Sequence, residues 1–583
     1  MISHWDVKNY NNRGRRATVV CVQTEQLSIR YPTNETSTVQ DITAFFRSGS
    51  RSLILGPSGV GKSTLTLALN GIIPQSLDAE VSGEIAIGDV HPQHQTVGEM
   101  SRKVGILFQD PETQFCMYSV EEEVAFGLEN LQVPREKMEA VIHDSLQNTG
   151  LLHVRQAPIH ALSGGMKQKL ALACLMAIDP EVLILDEPTA NLDPQATIDV
   201  FALIDHWGKH ANKTMIFIEH QLDDMIHFID DVIILNKNGK VAYTGKPRAL
   251  FQEHANQLLT DGIWLPKTVR AAITLEDRIK WDPFPLVPTE LEQQLKKEGI
   301  PEPTMPYPKA KEEPKSEKPI VEMQDIYYQY DHKSKNPFVL SGLTLHIHRG
   351  EFVALAGPNG AGKSTVAQLL LGVKKPSSGV IKWKDRSLAS WPDDQFMSQI
   401  GLVMQNPESQ FITERVDEEV SFGPKRMGWS KDERQSHVDQ LLETFNLAHV
   451  RAQNPFSLSQ GQKRRLSVAT MLISNQELLI LDEPTFGQDA ENTEQLMKLL
   501  KSLQQQGKTI LMITHDMGLV DQYASRMIVL QEGGCAYEGE PVTFLHSLHY
   551  QPLRAQTNLI TPMDRKLHQW QHQVQQKVSV QYA

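Results

Sequence analysis

The sequence predicts an α/β fold that occurs twice in one chain, and three observations carry this prediction. Short runs of apolar, β-branched residues alternate with segments of helical periodicity. The runs do not alternate with polar residues, which indicates strands buried on both faces, as in parallel sheets covered by helices. A set of short motifs also recurs in the second half at nearly constant spacing.

The strands of this fold are predicted from the continuous apolar runs. In the first half the runs cover 52–55, 182–185 and 214–218. Their counterparts in the second half cover 352–355, 478–481 and 509–513. Each run ends next to a polar or glycine-rich segment, so the chemistry is expected at the strand ends.

Composition and charge narrow the class of protein. The 583 residues are 40% hydrophobic and 22% charged, which is ordinary for globular domains and excludes disordered, collagenous and disulfide-stapled chains. The net charge of -13 disfavours bulk nucleic-acid binding, because that needs a basic face. The four cysteines form no C-x-x-C pair, so neither a zinc site nor a disulfide framework is indicated, and a reducing cytosolic setting is expected.

Membrane insertion is not expected from the hydropathy pattern. The chain has no run of about 18 apolar residues, and its N-terminus lacks a signal-peptide core. Any action at a membrane is therefore expected to go through a partner protein.

The internal repeat is defined by a glycine-rich loop and four further landmarks. Lys62 and Lys363 occupy the same place in the two loops and are 301 positions apart. Four more pairs keep an offset of 295 or 296: Gln109 and Gln405, Ser163 and Ser459, Asp186 and Asp482, and His220 and His515. The chain is therefore interpreted as a tandem duplication of one unit.

Each loop has the pattern G-x-x-x-x-G-K-S between a buried strand and a helix, which is the context of a phosphate loop. Its glycines let backbone N–H groups approach an anion, and the helix N-terminus adds partial positive charge. Lys62 and Lys363 are expected to neutralise the β- and γ-phosphates, while Ser63 and Ser364 offer a hydroxyl to Mg²⁺. The other predicted ATP-binding members are Gly56, Ser58, Gly59, Gly61, Thr64, Gly357, Asn359, Gly360, Gly362 and Thr365.

A pair of adjacent acids closes one apolar strand in each half, as Asp186-Glu187 and Asp482-Glu483. Adjacent strand residues face opposite sides, so the two acids are expected to differ in role. The aspartate is predicted to hold the Mg²⁺ shell. The glutamate is predicted to orient the attacking water, since positioning and charge stabilisation make up most of phosphoryl-transfer catalysis.

A third motif lies upstream of each acid pair. It reads Leu162-Ser163-Gly164-Gly165-Met in the first half and Leu458-Ser459-Gln460-Gly461-Gln in the second. With it the chain resembles ABC-type ATPases, whose signature is LSGGQ, over both halves. The resemblance implies two P-loop NTPase domains. Each has a mainly parallel sheet core, an antiparallel β subdomain and a helical subdomain.

The resemblance also implies site roles and pairing. Gln109 and Gln405 match the glutamine that reaches Mg²⁺, and His220 and His515 match the switch histidine at the γ-phosphate. Head-to-tail pairing of the domains would then build two composite ATP sites. One combines Lys62, Ser63 and Glu187 with Ser459, Gln460 and Gly461, and the other combines Lys363, Ser364 and Glu483 with Ser163, Gly164 and Gly165.

Two weaker matches complete the nucleotide site. Tyr31 and Tyr330 resemble the aromatic residue that stacks on adenine. Asp193 and Asp489 match the D-loop aspartate, although the second D-loop lacks the Leu and Pro of the first. Because both glutamates and both histidines are present, two competent sites are expected, with unequal hydrolysis rates as a hypothesis.

The segment after each glutamine indicates the subclass. It reads D-P-E-T-Q-F in the first half and N-P-E-S-Q-F in the second, each followed by an acidic helix start that could equally be a solvated helix face. The pattern resembles ATPases of energy-coupling factor (ECF) transporters, fused forms of which occur in hydroxymethylpyrimidine/thiamine systems. In that family this surface receives a transmembrane T component, and an S component binds the vitamin or metal ion. The predicted docking residues are Asp110, Glu112, Gln114, Phe115, Asn406, Glu408, Gln410 and Phe411.

The predicted domain limits follow from the repeat and from composition. They are an N-terminal extension (1–16), a first ATPase domain (17–254), a helical then Pro-rich linker (255–319), a second ATPase domain (320–548) and a C-terminal tail (549–583). Within the linker, residues 281–319 are Pro-rich and charged, and such composition is expected to form no core.

The function predicted from these features is ATP hydrolysis that energises import through an ECF-type transporter, with ATP and Mg²⁺ as cofactors. The protein would sit peripherally on the cytoplasmic face of the membrane. Two alternatives stay open: a soluble tandem ABC ATPase acting on ribosomes, and the ATPase of a conventional ABC importer. The acidic net charge and the Pro-rich linker disfavour the ribosomal alternative.

Overall fold

The computed structural model describes most residues of the chain. They are 21–32, 36–190, 192, 194–276, 279–299, 318–330, 338–392, 395–396, 398–472, 476–485, 487–546 and 553. The N-terminal extension, residues 301–317 of the linker and all of the C-terminal tail except Leu553 therefore lie outside the description. The described residues group into two compact units, with the division at Pro266 and Lys267; residues 194 and 195 group with the second unit.

The first unit contains nine strands and eight helices among its described residues. Its strands are β1 (Val22–Arg30), β2 (Val39–Phe46), β3 (Arg51–Leu55), β4 (Glu80–Ile87), β5 (Val104–Leu107), β6 (Val182–Asp186), β7 (Thr214–Ile218), β8 (Asp231–Leu235) and β9 (Val241–Gly245). Its helices are α1 (Lys62–Leu69), α2 (Ile72–Gln75), α3 (Val97–Met100), α4 (Val120–Asn130), α5 (Arg135–Asn148), α6 (Gly164–Ile178), α7 (Pro194–Ala211) and α8 (Pro247–Thr260).

Two sheets and a helical layer build this unit. A six-stranded sheet has the order β5-β6-β7-β3-β8-β9, parallel except for β9, and a three-stranded antiparallel sheet has the order β2-β1-β4. Strands β6 and β7 are buried at every residue, as their unbroken apolar runs predict. One core cluster joins the two sheets around α1, and a second lies among α4, α5 and α6.

The second unit repeats this plan. Its strands are β10 (Val321–Tyr328), β11 (Leu340–Ile347), β12 (Phe352–Ala356), β13 (Ser378–Trp383), β14 (Arg386–Ser387), β15 (Ile400–Val403), β16 (Leu478–Asp482), β17 (Thr509–Ile513), β18 (Arg526–Gln531) and β19 (Gly534–Gly539). Its helices are α9 (Lys267–Thr274), α10 (Pro288–Lys297), α11 (Lys363–Leu370), α12 (Val416–Arg426), α13 (Lys431–Thr444), α14 (Gln460–Leu472), α15 (Ala490–Gln505), α16 (Met517–Tyr523) and α17 (Pro541–His546). The sheet order β15-β16-β17-β12-β18-β19 matches that of the first unit strand for strand, and β11-β10-β13-β14 forms the antiparallel sheet. The predicted α/β class, the parallel cores and the antiparallel and helical subdomains are confirmed.

Part of the predicted linker is packed, although residues 281–319 were expected to form no core. Trp281 and Phe284 are 7% and 2% exposed, and both leucines of α10 are fully buried. The indole of Trp281 donates to the carbonyl of Ala272 at 3.0 Å. The expectation was wrong for 281–299. The segment is rich in proline and charge on average, but it also contains apolar residues every few positions, and these are buried.

No helix among the described residues is long and apolar enough to cross a membrane.

Candidate ATP site in each unit

The phosphate loop of each unit connects the central strand of the sheet to the helix behind it. In the first unit β3 ends at Leu55 and α1 begins at Lys62. Gly61 has a φ of +94°, and a Cβ on it would lie 2.9 Å from the carbonyl oxygen of Thr38. A side chain is excluded there by both backbone strain and contact, which explains the glycine.

The loop lysines are bound by their own loops. Nζ of Lys62 donates to the carbonyl oxygens of Gly56 and Pro57 at 2.7 and 2.9 Å. Lys363 makes the same pair of bonds to Gly357 and Pro358 at 2.8 and 3.0 Å. Both ammonium groups are therefore held at the mouth of the loop, where a phosphate would meet them.

The acid pairs stand at the carboxyl ends of β6 and β16, beside the phosphate loops. The hydroxyl of Ser364 donates to Asp482 Oδ2 at 3.2 Å. Burial, together with the charge of Glu187, raises the pKa of Asp186 to about 6, and the hydrogen bond from Ser63 opposes that rise. A buried aspartate next to a serine hydroxyl is a hard oxygen donor set, which fits Mg²⁺.

The glutamates of the two acid pairs adopt left-handed backbone conformations. Glu187 has a φ of +49° and Glu483 a φ of +46°. Their N–H groups donate to the last residue of the neighbouring strand, Ile218 at 2.8 Å and Ile513 at 2.9 Å. Such strain at a non-glycine residue persists only where the surroundings impose it, and it is concentrated at functional sites.

In the first unit, three predicted site residues meet at one carboxylate. Gln109 Nε2 donates to Glu187 Oε2 at 2.6 Å, and His220 Nε2 lies 3.2 Å from Glu187 Oε1. They converge because β5, β6 and β7 are parallel neighbours whose carboxyl ends share one edge of the sheet. Burial favours protonation of Glu187, but His220, with Lys62 and Gln109, brings its pKa below the ordinary value.

The second unit builds the pair with the other ring nitrogen. His515 Nδ1 lies 2.9 Å from Glu483 Oε1. The charge of Glu483 raises the pKa of His515 to about 8 against the effect of burial. The two sites therefore contain the same residues in different arrangements.

The signature motifs form exposed helix starts. Ser163 caps α6 by accepting the N–H of Met166, and Ser459 caps α14 by accepting the N–H of Gln462 at 3.3 Å. A Cβ on Gly461 would lie 2.4 Å from Asn492 Oδ1, so close packing against α15 requires glycine.

The two tyrosines predicted to stack on adenine make the same hydroxyl contact in the two units but differ in exposure. The hydroxyls of Tyr31 and Tyr330 lie 3.2 and 3.0 Å from the hydroxyls of Thr64 and Thr365. Tyr31 is half-buried, whereas Tyr330 is exposed and has Nζ of Lys374 3.7 Å from its ring centroid.

Only one of the two predicted D-loop aspartates lies among the described residues. Asp489 caps α15 by accepting the N–H of Asn492 at 2.7 Å, and Asp193 lies outside the described residues.

The glutamine loops, 108–115 and 404–411, contain the predicted docking residues. Gln114 and Gln410 point inward: each accepts the N–H of the residue before the loop glutamine and donates to a strand carbonyl, Ile106 at 3.1 Å and Leu402 at 2.7 Å. Phe411 is 8% exposed and Phe115 is half-buried in the helical core. Phe411 is buried and the other three are half-buried, so these residues shape the loop through inward contacts, and their role as docking contacts stays a prediction.

The outward residues of these loops are polar. Asp110 and Asn406 cap the short turns that follow, each accepting a glutamate N–H at 3.0 Å. Glu112 and Glu408 pair with lysines of the signature helices, Lys167 at 2.5 Å and Lys463 at 2.6 Å. Their neighbours Tyr118 and Ile412 are 68% and 67% exposed. These two were missed by the sequence reasoning, although both follow the motif closely.

The acidic helix starts after the loops are not simply solvated. Glu123 accepts the N–H groups of Cys116 and Met117 at 2.9 and 2.8 Å, and Glu419 holds Ile412 and Thr413 in the same way. Each of these glutamates is nearly fully buried. They fix the exposed segment that carries Tyr118 or Ile412.

Glu219 is a further residue that the sequence reasoning missed. It lies between β7 and His220 and is 4% exposed. It accepts the N–H groups of His220 and Gln221 at 3.0 and 3.1 Å and the hydroxyl of Thr189 at 3.1 Å. Burial, with the charge of Glu187, raises its pKa to about 7. The sequence feature that could have identified it is an acidic residue directly after an apolar strand. The second half has Thr514 at the equivalent position.

The family described as ABC transporter matches residues 39–190 and 340–486. The chain is 39% identical over 89% of its length, and 91% of the relative's, to YkoD of Bacillus subtilis (strain 168), named as a candidate HMP/thiamine import ATP-binding protein. It is 34% identical over 89% of its length, and 85% of the relative's, to a candidate ABC transporter ATP-binding protein of Methanosarcina acetivorans.

Solved structures match the chain in part. CbiO1 from Clostridium perfringens, described as part of the ABC transporter complex CbiONQ, is 33% identical and covers 43% of this chain and 99% of its own, with a TM-score of 0.38. The cassette MJ0796, in a dimeric post-hydrolysis state bound to ADP and Pi, is 27% identical, covers 38% and 98%, and has a TM-score of 0.36.

Proposed function

Because this chain belongs to the ABC transporter family of ATP-hydrolysing proteins, we propose that it is the ATPase subunit of an ECF-type importer. The cargo class would be a vitamin or related small molecule, with thiamine or hydroxymethylpyrimidine as the first choice, or a metal ion. The relative YkoD, at 39% identity, supports that choice of cargo by its name. The partners would be a T component in the membrane and an S component that binds cargo, with this chain peripheral on the cytoplasmic face.

The observation that carries this proposal is the link between the glutamine loop and the signature helix. In both units an ion pair joins the two, through Glu112 and Lys167 or Glu408 and Lys463. A few residues after each loop glutamate, an exposed large side chain, Tyr118 or Ile412, lies on a segment fixed by a buried glutamate. A membrane partner seated there would move together with the signature helix, which suits transport coupling more than ribosome binding.

ATP hydrolysis at the two sites would use each unit's own residues. Lys62 and Lys363 leave their loop carbonyls to bind phosphate oxygens. Ser63, Asp186 and Gln109 would hold Mg²⁺ in the first unit, as Ser364, Asp482 and Gln405 would in the second, and the bound ion neutralises phosphate charge. Glu187 and Glu483 orient water and accept its proton, while His220 and His515 fix their carboxylates.

Each site would be completed by the signature of the other unit through head-to-tail pairing. Ser459 and Gly461 would serve the first site, and Ser163 and Gly165 the second. ATP binding at both sites would close the pair and hydrolysis would reopen it, so that chemistry gates the motion of the membrane partner.

Capture from detergent-solubilised membranes tests this function. The wild-type chain is expected to recover a polytopic membrane protein, and the Tyr118→Asp/Ile412→Asp variant is expected to lose it with unchanged basal ATPase activity. Phe45→Asp is the matched control, because Phe45 is also exposed but lies on the antiparallel sheet. Recovery of ribosomal subunits, or equal capture by the docking variant, would contradict the proposal.

A second experiment tests the division of labour. The Lys62→Ala/Lys363→Ala variant is expected to abolish uptake by the assembled complex while the S component still binds its cargo. Loss of cargo binding in that variant would contradict the proposed roles.

A further inference from the structure

The second unit buries an arginine in its ATP site that the first unit lacks. Arg464 lies on α14 and is 2% exposed. Its guanidinium donates to the carbonyl oxygens of Met404 at 2.5 Å, Gln405 at 2.6 Å and Glu483 at 3.5 Å. Burial lowers its pKa to about 10, against the attraction of Asp482 and Glu483, so the group is charged at neutral pH.

Two neighbours on the same helix extend this contact. Lys463 pairs with Glu408 at 2.6 Å, and the hydroxyl of Ser467 donates to Oε1 of Gln410. Together with Arg464 they bind the glutamine loop of the second unit at its start, middle and end. The loop and the signature helix are therefore held as one piece.

The first unit keeps only part of this arrangement. The ion pair between Lys167 and Glu112 is present, but Gln168 stands where Arg464 does and Ala171 where Ser467 does. Gln168 is 1% exposed, and its Nε2 has no hydrogen-bond partner among the described residues. The first glutamine loop thus lacks the buried charged clamp.

A charge-assisted hydrogen bond in a buried site holds its partners more firmly than a neutral one. The guanidinium of Arg464 donates to the backbone carbonyls of Gln405 and Glu483, both of which are proposed to act at the second ATP site. Among the described residues its hydrogen bonds reach neither the phosphate loop nor the signature serine, so its effect must pass through those two residues.

We propose that Arg464 is a positioning residue of the second ATP site, which fixes the loop glutamine and the catalytic glutamate relative to each other. The first site has no such buried arginine, so the two sites differ in how firmly the glutamine loop is held next to the catalytic glutamate. This inference rests on the proposed roles of Gln405 and Glu483.

Hydrogen exchange of the full chain without nucleotide is the first test. In the wild type, the amides of 404–412 are expected to exchange more slowly than those of 108–116. Arg464→Gln, which copies the first unit, is expected to bring the exchange of 404–412 to the rate of 108–116. Arg464→Lys keeps the charge and is expected to lie between the two.

Steady-state ATPase activity is the second test, measured where the first site is silenced by Glu187→Gln. Arg464→Gln is expected to lower kcat about tenfold, as is usual when a group supporting a catalytic residue is removed. The KM for ATP should stay within about twofold, since Arg464 donates to the carbonyl oxygens of Met404, Gln405 and Glu483 and is not proposed to contact the nucleotide. Gln168→Met, measured where Glu483→Gln silences the second site, is the matched control and is expected to change kcat less than about twofold.

The outcomes separate this inference from the proposed roles. Faster loop exchange with an unchanged kcat would reduce Arg464 to a structural contact and overturn the inference. Unchanged exchange would overturn it as well. If Glu483→Gln itself kept full activity at the second site, the role of Glu483 would fail first, independently of Arg464.

Discussion

Nδ1 of His515 lies 2.9 Å from Oε1 of Glu483, and the charge of that carboxylate raises the pKa of the imidazole to about 8. In the first unit His220 approaches Glu187 through Nε2 at 3.2 Å. The two histidines therefore orient their rings differently towards the same kind of partner. The repeat conserves the residues but not the geometry between them.

Glu483→Gln is expected to lower the pKa of His515 to about 6.5 or below, because the opposing charge is lost and burial remains. NMR titration of histidines labelled at Cε1 measures this. Since the raised pKa belongs to a histidine, the pair stabilises the fold below about pH 6.5 and loses that contribution as pH rises through about 8. Glu187→Gln is the control: a shift of His515 in that variant would contradict the assignment.

Glu187→Gln and Glu483→Gln are each expected to lower hydrolysis at their own site by about 100-fold or more, the range for removal of a general base. Because the contacts of the two glutamates differ, the residual activities are expected to be unequal. Phosphate release by the two single variants and the double variant measures the shares. Equal shares would contradict the inequality of the sites.

Glu219→Gln is expected to change the pH dependence of stability. The folded pKa of Glu219, about 7, exceeds its ordinary value of 4.5. The folded state therefore holds the proton more tightly, and stability falls as pH rises from about 4.5 to 7. The variant has no such titration, so its unfolding free energy relative to wild type should rise by on the order of 3 kcal/mol between pH 5 and pH 8.

Denaturant unfolding of both proteins at several pH values gives that difference. Glu253→Gln is the control, because Glu253 has an exposed side chain on α8. A difference between Glu219→Gln and wild type that is independent of pH would show that the carboxyl group is ionised throughout the range.

Gln410→Leu is expected to lower the free energy of unfolding by about 0.5–1.5 kcal/mol, because it removes the hydrogen bonds to the part-buried carbonyl of Leu402 and to the N–H of Met404. Ile412→Ala, two positions away at an exposed side chain, should change stability by less than about 0.5 kcal/mol. Unfolding in urea measures both. If Gln410→Leu were neutral for stability, the inward role assigned to Gln410 would be wrong.

Much of the fold follows from the sequence because its signals are local. Unbroken apolar runs such as 214–218 are long enough for a strand and too apolar for a surface, so they predict the parallel core. The phosphate loop is equally local, since its glycines, lysine and serine all fall within one short segment, 56–64. Residues whose role depends on neighbours were less predictable. The sequence predicted Gln114 and Gln410 as docking residues. Only the structure shows that they donate to strand carbonyls and so shape the loop.

The sequence by itself determined the duplication, the α/β class, the phosphate loops and the acid pairs, because each depends on residue type at short spacing. Only the tertiary structure decided which side chains meet at the carboxyl edge of each parallel sheet. It brought Gln109 and His220 to Glu187, placed the carboxylate of Glu219 against the N–H of His220 and buried Arg464 against the second glutamine loop. The physical reason is that parallel strands distant in sequence end side by side, and a buried charge acquires its meaning only from the groups that surround it.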